Sequence, residues 1–549
     1  MGASKQKLLL IAIIIIACFF RFYNLNWDQG YHLHPDERFL TMVGNSMQIP
    51  NSFTHYLDAS TSPMNPVNIG YPFYVYGTSP LVLNKLIAVG LGTDTYGDFT
   101  IQGRFLSGFF DILTLVFLIK LLALLCKKRH LPTAIVPLGA FFYAVSVLPI
   151  QLSHYFAVDT FLSFFVLTSF YTLLKYCYEG KVRFLVLSGL LIGFAVAAKV
   201  SAVYILPLHA LILLWSRGML HQKFFSKQFL GRMALFGVCF YVALHLAGPY
   251  YFAEGALINP MPNPTFLANI ATLKSYESIT FPPSVQWYST TPIIFPLYNL
   301  AFFGVGVGYF ILLVAGIFFL VKKYRYPELI ILLIWAGLFF LYQSTQLVKT
   351  MRYFIFLYPF FAFFATVGFV SIFGKTKVWI QGIVIALVLI WPLSFMSIYV
   401  QPMTRVAATN WIGDNIPQGS LMLSELWDDG LPLPLPNKYY PGEQLPVFDL
   451  DTPEKWQRMD GLLERGDYLV LSSNRGWGSI PKVPDHYPQM SVFYADLFAG
   501  KLPYKKIQEF TSYPSLTYLG IPLTFPDGSA DEAFSVYDHP QVMIFQHVR

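Results

Sequence analysis

About eleven stretches of this chain are apolar over the roughly 20 residues that a helix needs to cross a bilayer, and no other feature restricts its fold as much. They lie near 7–23, 102–126, 132–150, 156–176, 184–199, 201–216, 233–252, 298–321, 328–344, 352–373 and 378–398. Lipid offers no partner for a free N–H or C=O, so spans of this kind must be helical. The composition agrees: 55% of the 549 residues are hydrophobic and 12% are charged, against about 25% charged in soluble domains. The two runs between 184 and 216 are short and read as a tilted pair or a re-entrant hairpin. The first run follows Lys5 and Lys7 with no small-residue cleavage site after it, so it reads as a retained helix rather than a signal peptide.

Charge sets the expected topology. Lys127-Lys128-Arg129, then Lys175, Lys181 and Arg183, then Arg217, Lys223, Lys227 and Arg232, then Lys322-Lys323 and Arg325, then Lys375 and Lys377 occupy alternate connections, interrupted only by Glu179 and Glu328. The positive-inside rule puts these loops and the N-terminus in the cytoplasm, and an odd number of spans puts the C-terminal region outside the cytoplasmic membrane. Basic residues exceed acidic ones up to Val400 and the balance reverses after it, which is not the profile of a nucleic-acid binder. The four cysteines, Cys18, Cys126, Cys177 and Cys239, lie in or beside apolar runs and suggest neither a disulfide framework nor a metal-ligand spacing.

Residues 1–400 thus read as a transmembrane domain with two long outer loops, 24–101 and 253–297. Both are too aromatic for disorder and are expected to pack as short interfacial helices. After Val400 short apolar runs such as Tyr468-Leu469-Val470-Leu471 and Val542-Met543-Ile544-Phe545 alternate with turn residues and with a helical stretch over 453–465. They predict a soluble α/β or α+β domain over 401–549.

The acids that matter are few. Asp36 and Glu37 follow the first apolar run in His34-Pro35-Asp36-Glu37, and Asp159 opens the fourth run on the same side. Proline biases His34 toward extended backbone and lets a helix start at residue 35 or 36, so the pair could serve only to complement a helix dipole. Yet ionisable groups at a membrane boundary are costly unless they are solvated, paired or at work, and a positioned carboxylate is what general-base chemistry needs. Asp36 and Asp159 could equally share a substrate hydroxyl or a divalent cation. On the same side Lys85, Lys199, Lys349 and Arg352 break the positive-inside pattern. Each alone could be a snorkelling side chain, but together they suit an anionic ligand such as a lipid phosphate. Arg104 and Asp111, two turns apart on one helical face, read as structural, through a mutual or bridged contact.

Four segments resemble one family. His34-Pro35-Asp36-Glu37 is similar to the acidic motif in the first outer loop of the lipid-carrier-dependent membrane glycosyltransferases of GT-C fold. These include protein O-mannosyltransferases, bacterial aminoarabinose transferases, and mannosyltransferases of the endoplasmic reticulum. Ser79-Pro80-Leu81 through Lys85-Leu86-Ile87-Ala88 resembles their Pro-Pro-Leu-Gly-Lys-Leu segment, departing from it at Val82-Leu83-Asn84. Asp159 stands where many members have a second Asp, and Lys349 through Pro359 resembles their late Arg-Tyr…Pro motif. Phe281 through Trp287, Glu425 through Asp429 and Ser535 through His539 look like segments of prokaryotic transferases in this superfamily, with no activity attached. The resemblance implies inverting sugar transfer of the hexosyltransferase type, from a polyprenyl-phosphate donor to an acceptor hydroxyl on protein, lipid or glycan. Asp36, Glu37 and Asp159 would be catalytic, and Lys85, Lys199, Lys349, Arg352, His34, Gln286 and Trp287 would bind substrate. Some members use a divalent cation, here held by Asp36 and Asp159 if by any residues, and others none. Neither a P-loop nor a Rossmann fingerprint is present, so no nucleotide cofactor is required. A transporter or flippase of a lipid-linked glycan is the alternative, but the inverted repeats it would need are not seen. A membrane scaffold would leave the acids unexplained.

Overall fold

The computed structural model describes residues 3–220, 226–253 and 259–549. Lys223, read above as part of a basic loop, lies outside them. Every apolar stretch is helical, but not every one is a full-length span. Seven helices among the described residues are long and apolar enough to cross a membrane, or eight if the bent pair Ile135–Ala144 and Val147–Ser153 is one span. The expected count of eleven is therefore not reached by length. Val182–Ala198 and Val307–Lys323 stop at 17 residues each, and the 132–150 stretch is broken by 54°. The chain between 184 and 216 breaks at Lys199, whose backbone is extended (φ −157, ψ 125).

The two long loops fold as short helices. Pro35–Ser46, Phe53–Leu57 and Thr78–Leu91 occupy the first, and Pro264–Ser275, Pro282–Val285 and Ile294–Asn299 the second. After Val378–Val400 and Thr404–Asn415 comes a five-stranded mixed sheet. Its strands are β1 (Met422–Glu425), β2 (Gly442–Leu445), β3 (Tyr468–Leu471), β4 (Tyr504–Phe510) and β5 (Val542–His547), in the order β2-β1-β3-β5-β4. The β1 strand pairs parallel with β2 and β3, whereas β5 runs antiparallel to β3 and β4. The helix Pro453–Arg465 and strands β3 and β5 lie where the sequence pattern places them.

Charge inside the bundle is neutralised locally, as low-dielectric surroundings demand. Arg21 Nε meets Asp111 Oδ2 at 2.5 Å, and Tyr143 donates its hydroxyl to the other oxygen at 2.5 Å. Asp111 therefore pairs with the first helix and not with Arg104. At the end of the bundle that carries the basic loops, Arg129 holds Glu328 at 2.5 and 2.9 Å, and Tyr178 donates to the same carboxylate at 2.5 Å.

The sheet domain is locked to the opposite end by polar contacts. Asp538 accepts from Gln151 (3.1 Å) and Tyr399 (2.9 Å), and Asp531 accepts from Trp287 Nε1 (3.3 Å) and the Met351 amide (3.1 Å). His539 lies buried between Asp538 and Asp527, the latter at 2.8 Å. Burial disfavours its cation, but the two carboxylates prevail and raise it to about 10. Glu425, buried beside Tyr494, is pushed up by burial to about 8. Both signs point one way. A cation with a raised folded value stabilises fully below the unfolded histidine value of about 6.5 and loses its contribution as pH rises through about 10. An acid raised to about 8 releases its proton earlier in the unfolded chain, so stability falls between about pH 4.5 and 8. The unfolding midpoint in detergent, followed across pH 6 to 10, is expected to drop steadily, and His539→Gln should flatten the upper half of that slope.

Candidate active site

The helix Pro35–Ser46 begins as the sequence predicts. His34 is extended (φ −91, ψ 114), its Nδ1 accepts from the Glu37 amide at 3.3 Å, and Pro35 takes the first helical position. Consecutive helical residues point about 100° apart, so the two carboxylates face different surroundings. Glu37 turns inward. Both its oxygens meet Arg104, at 2.8 and 2.5 Å, and Oε2 also accepts from the Phe156 amide at 2.7 Å. The same guanidinium holds Asp28 at 3.0 and 2.7 Å and lies over Trp27, 4.9 Å from the ring centroid. Burial pushes the Glu37 carboxyl above its ordinary value despite Arg104. Arg104 is thus structural, as expected, but through Glu37 and Asp28.

Asp36 turns toward open space, its side chain 25% exposed. Arg352 Nη1 donates to Asp36 Oδ2 at 2.5 Å, and Arg352 Nε stands 3.3 Å from Asp159 Oδ2. Lys199 donates to the other Asp159 oxygen at 2.7 Å. Four charges from four separate segments therefore form one alternating chain: Asp36, Arg352, Asp159, Lys199. Burial opposes ionisation of Asp36, but Arg352, His34 and the Tyr76 hydroxyl hold its carboxyl well below the usual carboxylate range. The contact between Arg352 Nε and Asp159 Oδ2 is too poorly aligned to count as a hydrogen bond, and both atoms lack another partner. Two unsatisfied atoms thus sit in the middle of the chain, where a ligand oxygen or water would be welcome.

The break at Lys199 brings its ammonium over the Tyr353 ring at 5.2 Å. His34 packs between Tyr155 (4.4 Å) and Tyr537 (4.2 Å), and burial pushes its imidazole down to about 4. A cavity of about 20 Å³, lined by His34, Arg352, Asp531 and Tyr537 among others, has room for one water.

Other sequence-selected residues lie elsewhere. Lys85 bonds Asp94 at 2.6 Å and the Asn45 carbonyl at 3.4 Å, outside the four-charge chain. Lys349 is buried without an ion pair among the described residues, and burial lowers its ammonium value. Gln286 accepts from the Glu532 amide at 3.1 Å, and Trp287 reaches Asp531, so both hold the sheet domain in place. The sequence assigns no role to Tyr76, Tyr353, Asp531 or Tyr537. Tyr353 lies in the stretch that resembles the Arg-Tyr…Pro motif and Tyr537 in the distinctive run from Ser535 to His539, whereas Tyr76 and Asp531 carry no such signal. Asp36 and Asp159 do not converge on an open point, because Arg352 stands between them. No group of three or more His, Cys, Asp or Glu side chains able to hold a metal occurs among the described residues. Arg352 occupies the place between Asp36 and Asp159 that a shared divalent cation would need.

The fold, a helical bundle capped by a mixed α/β unit, has relatives among solved structures. The family model described as dolichyl-phosphate-mannose-protein mannosyltransferase matches residues 90–245, the segment holding Arg104, Asp159 and Lys199. The fold is shared with the oligosaccharyltransferase AglB of Archaeoglobus fulgidus. In its complex with an inhibitory peptide and a dolichol-phosphate, the TM-score is 0.50 at 13% identity, over 94% of this chain and 74% of that one. The same archaeal enzyme tethered to an acceptor peptide containing the NVT sequon also gives 0.50, at 12% identity over 100% and 89%. ArnT from Cupriavidus metallidurans bound to undecaprenyl phosphate gives 0.44 at 12% identity over 99% and 98%. No curated protein sequence matches. The expected resemblance to the GT-C enzymes is thus found, and the family match and fold together support a membrane glycosyltransferase.

Proposed function

We propose that this chain transfers a sugar from a polyprenyl-phosphate donor to an acceptor hydroxyl, with inversion, on the extracytoplasmic face of the membrane. The observation that carries the reading is the Asp36–Arg352 pair. A partly exposed carboxylate, held ionised, stands 2.5 Å from a guanidinium at the junction of bundle and sheet domain. The positive-inside reading puts this end outside, opposite Arg129 and Glu328.

In the proposed step Asp36 takes the acceptor proton as the acceptor oxygen bonds the anomeric carbon. The bond from that carbon to the phosphate oxygen breaks, and its electron pair leaves with polyprenyl phosphate. Arg352 and Lys199 would hold the phosphate, drawn partly off Asp36 and Asp159. A donor phosphate competing for Arg352 would also weaken its hold on Asp36 and so make that carboxylate a stronger base. Asp159 would position the two cations.

The purified chain, given radiolabelled polyprenyl-phosphate sugar, should release free polyprenyl phosphate, slowly by hydrolysis and faster with acceptor. No release under either condition would sink the reading. Arg352→Ala should raise the donor concentration needed for half-maximal release by about 10- to 100-fold, the worth of a charged hydrogen bond. An unchanged donor dependence would remove Arg352 from the phosphate site.

A further inference from the structure

A second, larger cavity lies directly above the start of the helix Pro35–Ser46, between it and the sheet domain. Its volume is about 370 Å³, within the range of small-molecule sites. Pro35 and Tyr537 form part of its wall, and Tyr537 also packs on His34 at 4.2 Å. The opening is flanked by Arg38 and Trp427, which are 40% and 45% exposed.

The lining has an unusual chemistry. Trp427 adopts φ +79, a conformation that a bulky residue keeps only where its surroundings enforce it. Here Arg475 enforces it, donating to the Trp427 carbonyl at 2.6 Å, while the Phe281 ring meets the indole edge-on at 5.6 Å. Every charge around the cavity already has a counter-charge. Asp429 meets Arg38 at 3.1 Å and Arg405 at 2.9 Å, Asp428 meets Arg405 at 2.6 Å, and Arg475 meets Glu532 at 2.7 Å. A wall neutralised in this way has little to offer an ion. It presents planar amide, carboxylate and guanidinium edges, each with hydrogen-bonding capacity left over, beside an exposed indole face. The sheet edge is poorly suited to an extended peptide, because β2 has four residues and is flanked by Pro441 and Pro446.

We infer that this cavity binds a neutral saccharide, the acceptor of the transfer proposed above. The sugar ring stacks on Trp427, and its hydroxyls are read by Arg38, Asp429 and Gln444. The inference rests on the transferase reading for its role, but not for its binding chemistry.

The test uses the full chain in lipid nanodiscs on an array of neutral hexose and N-acetylhexosamine oligosaccharides, with a companion array of Ser/Thr-containing peptides. The full chain should be retained by at least one class of oligosaccharide, and Trp427→Ala and Gln444→Ala should each weaken that retention at least tenfold. Gln444 is exposed on the edge strand, so its variant keeps the test decisive if Trp427→Ala fails to fold. Retention by no saccharide, equal retention of the variants, or retention by peptides alone would overturn the inference. Donor release without acceptor, measured on the same preparation, separates the two readings. Release without saccharide retention defeats the cavity alone, and saccharide retention without release defeats the transferase reading alone.

Discussion

Asp36→Asn is expected to lower sugar transfer by about 10²- to 10⁴-fold, the usual contribution of a positioned general base, while the protein still purifies folded. The amide has nearly the shape of the carboxylate and can still accept from Arg352 and Tyr76. Arg352, whose side chain is 17% exposed, meanwhile keeps Asp159 at 3.3 Å, so its charge retains a neighbouring carboxylate. The loss should therefore appear in the rate of transfer at saturating donor. Glu37→Gln provides the contrast, because Glu37 is buried against Arg104 and reaches no open space. Its effect should appear first as a lowered unfolding midpoint. Full turnover in Asp36→Asn would show that another group takes the proton.

The second large effect is one of stability. Arg104→Met should destabilise the chain by about 3–5 kcal/mol, because it leaves Glu37 and Asp28 buried in apolar surroundings without their shared counter-ion. Thermal unfolding in detergent would register this as a large drop in midpoint or as a failure to accumulate folded protein. Replacing all three residues by apolar side chains of similar volume should recover much of the loss, since neutral packing often matches a buried ion cluster. An Arg104→Met variant that unfolds like the parent would mean that water reaches this cluster.

What the sequence discloses divides along physical lines. Spans, the helix start at His34-Pro35 and the buried strands β3 and β5 depend on local pattern, and local pattern is visible in a one-dimensional string. Which partner a charge takes is not. Asp36 and Glu37 are neighbours, yet one meets a guanidinium 316 residues away and the other meets one 67 residues away. Lys85 resembles a motif lysine, but the helix Thr78–Leu91 carries it to Asp94, beyond the reach of hydropathy or spacing. The excess in the span count has a similar origin. A sum of apolar residues does not register the 54° break near residue 145, which tertiary packing decides. Tyr76 does not stand out because aromatic residues are so common here, and Tyr537 lies in a distinctive run whose role the sequence does not disclose.

The order of the sheet also bears on how the protein is made. The β5 strand lies between β3 and β4, although it is the last of the five in the chain. Until residues 542–547 have been synthesised, β3 and β4 have no strand between them. The segment from Asp527 to His539, which fastens the sheet domain to Gln151, Trp287 and Met351, arrives only just before. The ribosome will therefore have threaded the whole bundle into lipid before the roof over Asp36 can close. Until then this charged pocket is open, and only once Arg352 has joined the bundle can the four-charge chain, beside Arg104, neutralise its acids.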